Sequence, residues 1–78
     1  MKQHRILAFG IIAEKIDAAE TTIEGANDSE ELLRILYLKY PQLSGMKFTV
    51  SINRKIIHGN QLLAEGDEIG LLPPFSGG

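Results

Sequence analysis

The spacing of apolar positions changes several times along the chain, and each change marks an element. His4 to Phe9 (HRILAF) is rich in aliphatic residues and predicts a strand, which Gly10 interrupts. Ile11 to Ile16 (IIAEKI) reads either as a short helical turn or as a loop. Ala19 to Ile23 (AETTI) carries two threonines and ends in isoleucine, so it predicts a second strand before the Gly25-Ala26-Asn27 break. Lys47 to Asn53 (KFTVSIN) sets Phe48, Val50 and Ile52 against Thr49 and Ser51, the alternation of a half-buried strand. Arg54-Lys55 is a turn candidate, with a short Ile56-Ile57 strand behind it. Gly59-Asn60 and Gly66-Asp67 turn the chain again, and Glu68 to Leu72 (EIGLL) forms the last strand.

The clearest helix is Asp28 to Tyr40 (DSEELLRILYLKY). Asp28 is placed to accept from the open first-turn amides, with Glu31 as its capping-box partner. Glu30 and Glu31 suit the positive end of the helix dipole. Leu32, Leu33, Leu36 and Tyr40 recur at helical spacing as one buried stripe, which Ile35 widens. Pro41 ends the helix by pushing Tyr40 out of helical dihedrals.

One amphipathic helix must bury its stripe, and a mixed sheet packed against it is the economical solution. The expected fold class is therefore α+β. The chain of 78 residues makes one small domain with one core. It has no cysteine, which removes disulfides, Cys-metal sites and cysteine catalysis. The net charge is -2 and no basic run exists, which argues against nucleic acid. No apolar stretch reaches the roughly 20 residues of a membrane span. Met1-Lys2-Gln3-His4-Arg5 and the following Ile6 to Ala13 imitate the start of a signal peptide. That apolar stretch is near the lower length limit, and its removal would delete a core strand. The expected location is the cytoplasm.

The chain ends Leu71-Leu72-Pro73-Pro74-Phe75-Ser76-Gly77-Gly78. Two terminal glycines lack Cβ atoms and can be threaded backbone-first into a narrow site. Pro73 and Pro74 fix two φ angles and favour an extended backbone, so the tail leaves the last strand in a set direction. Phe75 to Gly78 reaches about 13 Å when extended. Residues 1–74 are expected to form the domain and 75–78 a flexible tail, since no buried partner for Ser76 to Gly78 is apparent. Phe75 lies where no core covers it and is the candidate anchor in a partner's pocket. The alternative is that it folds back onto the domain.

Val50-Ser51-Ile52-Asn53, Leu63-Ala64-Glu65-Gly66-Asp67-Glu68-Ile69 and the Pro73-Pro74-Phe75-Ser76-Gly77-Gly78 ending together resemble the small subunit of molybdopterin synthase. The resemblance covers essentially the whole chain and is strongest from Lys47 to Gly78. It implies a ubiquitin-like β-grasp fold. It further implies that an ATP-using, ubiquitin-activating-type partner adenylates the Gly78 carboxylate, and that a sulfur donor converts it to a thiocarboxylate. The tail would then enter the large synthase subunit and give sulfur to cyclic pyranopterin monophosphate. Gly77 would keep the reacting carbon unhindered. Two small and two large subunits are implied, and no cofactor bound by this chain itself.

The same resemblance places Phe9, Ile56 and Leu72 in an apolar patch met by both partners, with Pro74 and Phe75 also at the partner. Strand parity supports Leu72: if Ile69 and Leu71 face the core, Leu72 faces away. For Phe9 and Ile56 the sequence leaves ordinary core packing open. Ala13 stands where the family carries a basic residue, so no ion pair is carried over there.

Other signals carry less. His4 and His58 are isolated and are expected at the surface, without metal ligation. Asp67 and Glu68 are adjacent, so they read as turn and edge residues rather than an acid-base pair. Arg34 and Lys39 belong to the solvated side of the helix. No nucleophile-base-orienter set is visible, so the chain is not expected to be an enzyme by itself. The competing readings are a carrier for thiamine thiazole, a ubiquitin-like modifier joined to lysines, and a β-grasp interaction domain whose tail carries no chemistry. The Pro-Pro-Phe ending looks less like thiazole carriers.

Overall fold

The structure, a computed structural model, describes residues 2–74. Strand β1 (Gln3–Ala8) leads into a short helix α1 (Gly10–Ile16), and β2 (Glu20–Glu24) returns beside β1. Helix α2 (Ser29–Lys39) follows, then a 3-10 turn at Pro41–Leu43. The chain closes with β3 (Thr49–Ile52), β4 (Lys55–Ile56) and β5 (Glu68–Leu72). The strands form one five-stranded sheet in the order β2-β1-β5-β3-β4. β1 and β5 are parallel and the other neighbours antiparallel. This is the mixed sheet with one main helix that the alternation of periods predicts. Of the two readings of the segment after Gly10, the helical one is correct: Ile12 and Ile16 turn inward from α1.

The start of α2 is fastened several times. Asp28 Oδ1 accepts from the Glu31 N–H at 2.8 Å, as the sequence predicts. Glu31 Oε1 reaches back to the N–H of Asn27 at 2.7 Å, one residue before the cap. Asn60 Oδ1 accepts from the Glu30 N–H at 2.9 Å and from Ser29 Oγ at 3.1 Å, which ties the helix to the loop before β5. Leu32 and Leu36 are fully buried, while Leu33, Ile35 and Tyr40 are half-buried.

The core lies between α2 and one face of the sheet. Ile6 and Ala8 of β1, Val50 and Ile52 of β3, and Ile69 and Leu71 of β5 supply the sheet side. α1 adds Ile12, and the 3-10 turn adds Leu43.

Three expectations need correction. His4 is buried, not on the surface, and its ring Nε2 lies 2.9 Å from the Ala26 carbonyl oxygen. With a carbonyl as partner, Nε2 must carry the hydrogen and donate it. The cause is strand parity, since His4 shares a face with Ile6 and Ala8. The β3–β4 turn is Asn53-Arg54, one residue earlier than predicted, because Ile52 pairs with Lys55. Glu68 begins a strand at the centre of the sheet, not at its edge.

Candidate docking surface and tail exit

The face of the sheet away from α2 is built by strand register. Leu7 of β1 lies beside Gly70 of β5, Gly70 beside Ser51 of β3, and Ser51 beside Ile56 of β4. One step along, Leu72 pairs with Thr49, and the Phe9 N–H donates to the Leu71 carbonyl at 3.3 Å. Large apolar side chains therefore surround two small residues. The result is a hollow of about 440 Å³ lined by Leu7, Phe9, Ser51, Arg54, Ile56, Glu68, Gly70 and Leu72.

Phe9 is 45% exposed and Ile56 50% exposed, so neither joins the core. Leu72 is half-buried on this face, while Ile69 and Leu71 point into the core. The structure thus brings Phe9, Ile56 and Leu72 together around one depression. Contiguous exposed apolar surface of this kind marks an interaction site.

Gly70 sets the depth of the hollow. A Cβ there would collide with Ser51 Oγ and stand 3.9 Å from Phe9 Cε2. Ser51 is buried although it belongs to the outer face, because the walls of the hollow cover it. The sequence reading missed Leu7, Ser51, Gly70 and the rim residues Arg54 and Glu68. Strand parity alone could have assigned Leu7 and Gly70 to the face of Leu72, but pairing register was needed to set them side by side.

The tail begins at the same end of the sheet. Leu72 closes β5 and also walls the hollow. Pro73 is half-buried, its Cγ standing 3.2 Å from where a Gly10 Cβ would be. Gly10 has φ +56°, a left-handed value that favours glycine. Pro74 is exposed. Phe75, Gly77 and Gly78, and the expected flexibility of the tail, lie outside the described residues.

The turn below the hollow is braced by polar groups. Asn53 donates its backbone N–H to the Glu68 carbonyl at 2.7 Å. Its side-chain amide donates to Asp67 Oδ1 at 2.9 Å, and its Oδ1 accepts from the Glu68 N–H at 3.0 Å. Asp67 Oδ2 accepts from the Ala64 N–H at 2.7 Å. The Ala64 amide, and then that of Asn53, hold the Asp67 carboxyl below its ordinary value of 3.8. Among the described residues, no group of three His, Cys, Asp or Glu is placed to hold a metal ion. No helix among them is long and apolar enough to cross a membrane.

Residues 6–78 match the ThiS family over nearly the full length of the chain. The chain belongs to the ThiS family. Its relatives include the molybdopterin synthase sulfur carrier subunit of Mycobacterium tuberculosis, 28% identical over an alignment covering 94% of each chain. Among solved structures, this ThiS-family chain is similar to one in the complex of subunits 1 and 2 of the molybdopterin-converting factor from Helicobacter pylori. That match is 31% identical, covers 97% of this chain and 99% of the other, and has a TM-score of 0.70. The small archaeal modifier protein 1 of Methanosarcina acetivorans is 27% identical, with 100% and 98% of the chains covered and a TM-score of 0.84. The likeness to the molybdopterin synthase small subunit drawn from the Gly-Asp-Glu turn and the Pro-Pro-Phe-Ser-Gly-Gly ending is thus met in both sequence and structure.

Proposed function

We propose that this chain is the sulfur-carrier small subunit of a molybdopterin synthase, acting in the cytoplasm. The Gly78 carboxylate attacks the α-phosphate of ATP on a ubiquitin-activating-type enzyme, releasing pyrophosphate and forming an acyl-adenylate. Sulfide-level sulfur from a donor attacks the acyl carbon, displaces AMP and leaves a thiocarboxylate. The large synthase subunit accepts the tail, the sulfur passes to cyclic pyranopterin monophosphate, and hydrolysis of the acyl–sulfur bond returns Gly78 as a carboxylate. Gly77 admits the tail to a narrow channel, Pro74 and Phe75 fix its direction and depth, and Phe9, Ile56 and Leu72 dock the domain. ATP and the pterin bind to the partners, so the chain carries no cofactor of its own.

The observation that carries this reading is the apolar hollow at the root of the tail. Leu72 belongs to both, so a partner seated on the hollow stands where the tail leaves the sheet. The relatives from Mycobacterium and Helicobacter favour molybdopterin synthase as the destination. A second reading, a modifier joined through Gly78 to lysines of other proteins, is favoured by the similarity to the Methanosarcina modifier protein.

The test is the intact mass of the chain after incubation with the adenylating enzyme, ATP and a sulfur donor. Exchange of one oxygen for sulfur is expected, followed by molybdopterin formation when the large subunit and precursor are added. Lysine conjugates with no sulfur-bearing product would favour the modifier, and an unchanged mass would overturn both readings.

A further inference from the structure

Arg54 occupies a backbone position that its side chain does nothing to relieve. It is the second residue of the two-residue Asn53-Arg54 turn joining β3 to β4, with φ +72° after φ +50° at Asn53. Such primed turns favour Asn followed by Gly, and the sequence has the Asn. A side chain at the second position is strained by its Cβ. Asn53 holds the turn through its bonds to Asp67 and Glu68. Arg54 adds nothing comparable. Its side chain is 90% exposed and, among the described residues, its guanidinium makes no hydrogen bond. Its nearest anion, Glu68 Oε2, stands 3.8 Å from Nε, which is ion-pair distance but too long for a hydrogen bond.

Strain of this kind, offset by no hydrogen bond and only by one long, solvent-exposed ion pair, points to function outside the domain. The turn holds the guanidinium on the rim of the hollow that Leu72 and Ile56 wall. We infer that Arg54 recognises a carboxylate side chain of the docking partner, paired with an apolar side chain of that partner seated in the hollow. A guanidinium presents a planar fork of donors that fits a carboxylate in two-point contact. The neighbouring charges are arranged in depth: Lys55 adds a second exposed cation, Glu68 and Asp67 are half-buried with Asp67 taken up by the Ala64 and Asn53 amides, and Arg5 is engaged by Glu20 at 3.2 Å. The most exposed charges at this corner, Arg54 and Lys55, are therefore both cations on a chain whose net charge is -2. The partner's apolar side chain would settle on the floor that Gly70 keeps low, with its carboxylate toward β4.

The inference rests on the proposed docking of a molybdopterin synthase large subunit, and the experiment separates the two. Affinity of the full chain for the cognate large subunit is measured at low and high salt, with Arg54→Gly, Arg54→Lys and Ile56→Ala. Arg54→Gly should leave the melting temperature unchanged or raised, because it relieves the turn, yet weaken binding about tenfold and flatten its salt dependence. Arg54→Lys should keep the salt dependence and recover only part of the affinity. If Ile56→Ala weakens binding while Arg54→Gly leaves affinity and salt dependence alone, the docking reading stands and the role of Arg54 is overturned. If neither variant changes binding, the docking reading falls, and this inference with it.

Discussion

Pro73 rests against Gly10, its Cγ 3.2 Å from the place of the Cβ that glycine lacks. The contact ties the root of the tail to the first turn of α1, two segments separated by most of the sequence. With Gly10 at φ +56°, replacement by alanine meets both a backbone penalty and the proline ring. Gly10→Ala should lower stability by roughly 1–2 kcal/mol, read by urea denaturation. It should also slow sulfur transfer, because Pro73 must move and the tail is re-aimed. Full stability and full transfer in this variant would contradict the assignment.

Phe9 and Ile56 are half-exposed, so shortening them removes little buried surface from the domain. Phe9→Ala and Ile56→Ala should each change stability by less than about 1 kcal/mol and weaken binding to the large subunit about tenfold or more. Calorimetric binding and thermal melting on the same samples check this. A loss of fold matching the loss of binding would return both residues to ordinary packing.

Removal of Gly78 should leave the melting temperature where it is and abolish conversion of the pterin precursor. Mass spectrometry after activation should show no sulfur on the shortened chain. Activity retained without Gly78 would refute a mechanism that runs through its carboxylate.

Two carboxyls make acid stability predictable in sign. Asp67 is held down first by the Ala64 N–H and then by Asn53, and Asp28 first by the Glu31 N–H and then by Asn60. Both therefore titrate in the folded chain below the ordinary value of 3.8. A depressed folded value means the unfolded chain takes up the proton first as pH falls. Their stabilisation is present above that ordinary value and is lost as pH drops through the lower folded values. Asp67→Asn and Asp28→Asn should each lower the urea midpoint at pH 7 and flatten its decline in acid. An unchanged acid profile in both variants would remove these two groups as its cause.

His4 donates to a buried carbonyl, so replacing it with leucine strands the Ala26 oxygen. His4→Leu should cost about 1–3 kcal/mol by urea denaturation despite the added apolar volume. Hydrogen exchange should quicken around Ala26 before it does in β5.

Much of the fold was legible in the sequence because its elements are locally consistent. The Asp28 cap, the leucine stripe and Pro41 agree on where α2 starts and stops, and the alternation through Phe48, Val50 and Ile52 fixes β3. His4 was misread because residue type was weighed above its parity with Ile6 and Ala8. The β3–β4 turn was misplaced because arginine at positive φ is rarely adopted, so Asn53 was the one local mark of the Asn53-Arg54 turn and no glycine followed it. The docking surface was legible only in part. Leu72 followed from parity, but the depth of the hollow comes from Gly70, Ser51 and Phe9 meeting across three strands, and register is not written locally.

The strand that becomes the tail is the middle one. β5 is paired with β1 on one side and β3 on the other, over registers running from Arg5↔Glu68 to Ala8↔Leu71 and from Thr49↔Leu72 to Ile52↔Ile69. A pull applied through Pro73 therefore loads two ladders in shear at once instead of peeling an edge strand bond by bond. The domain is built as a handle: a partner can draw the tail taut without unravelling the fold that holds it.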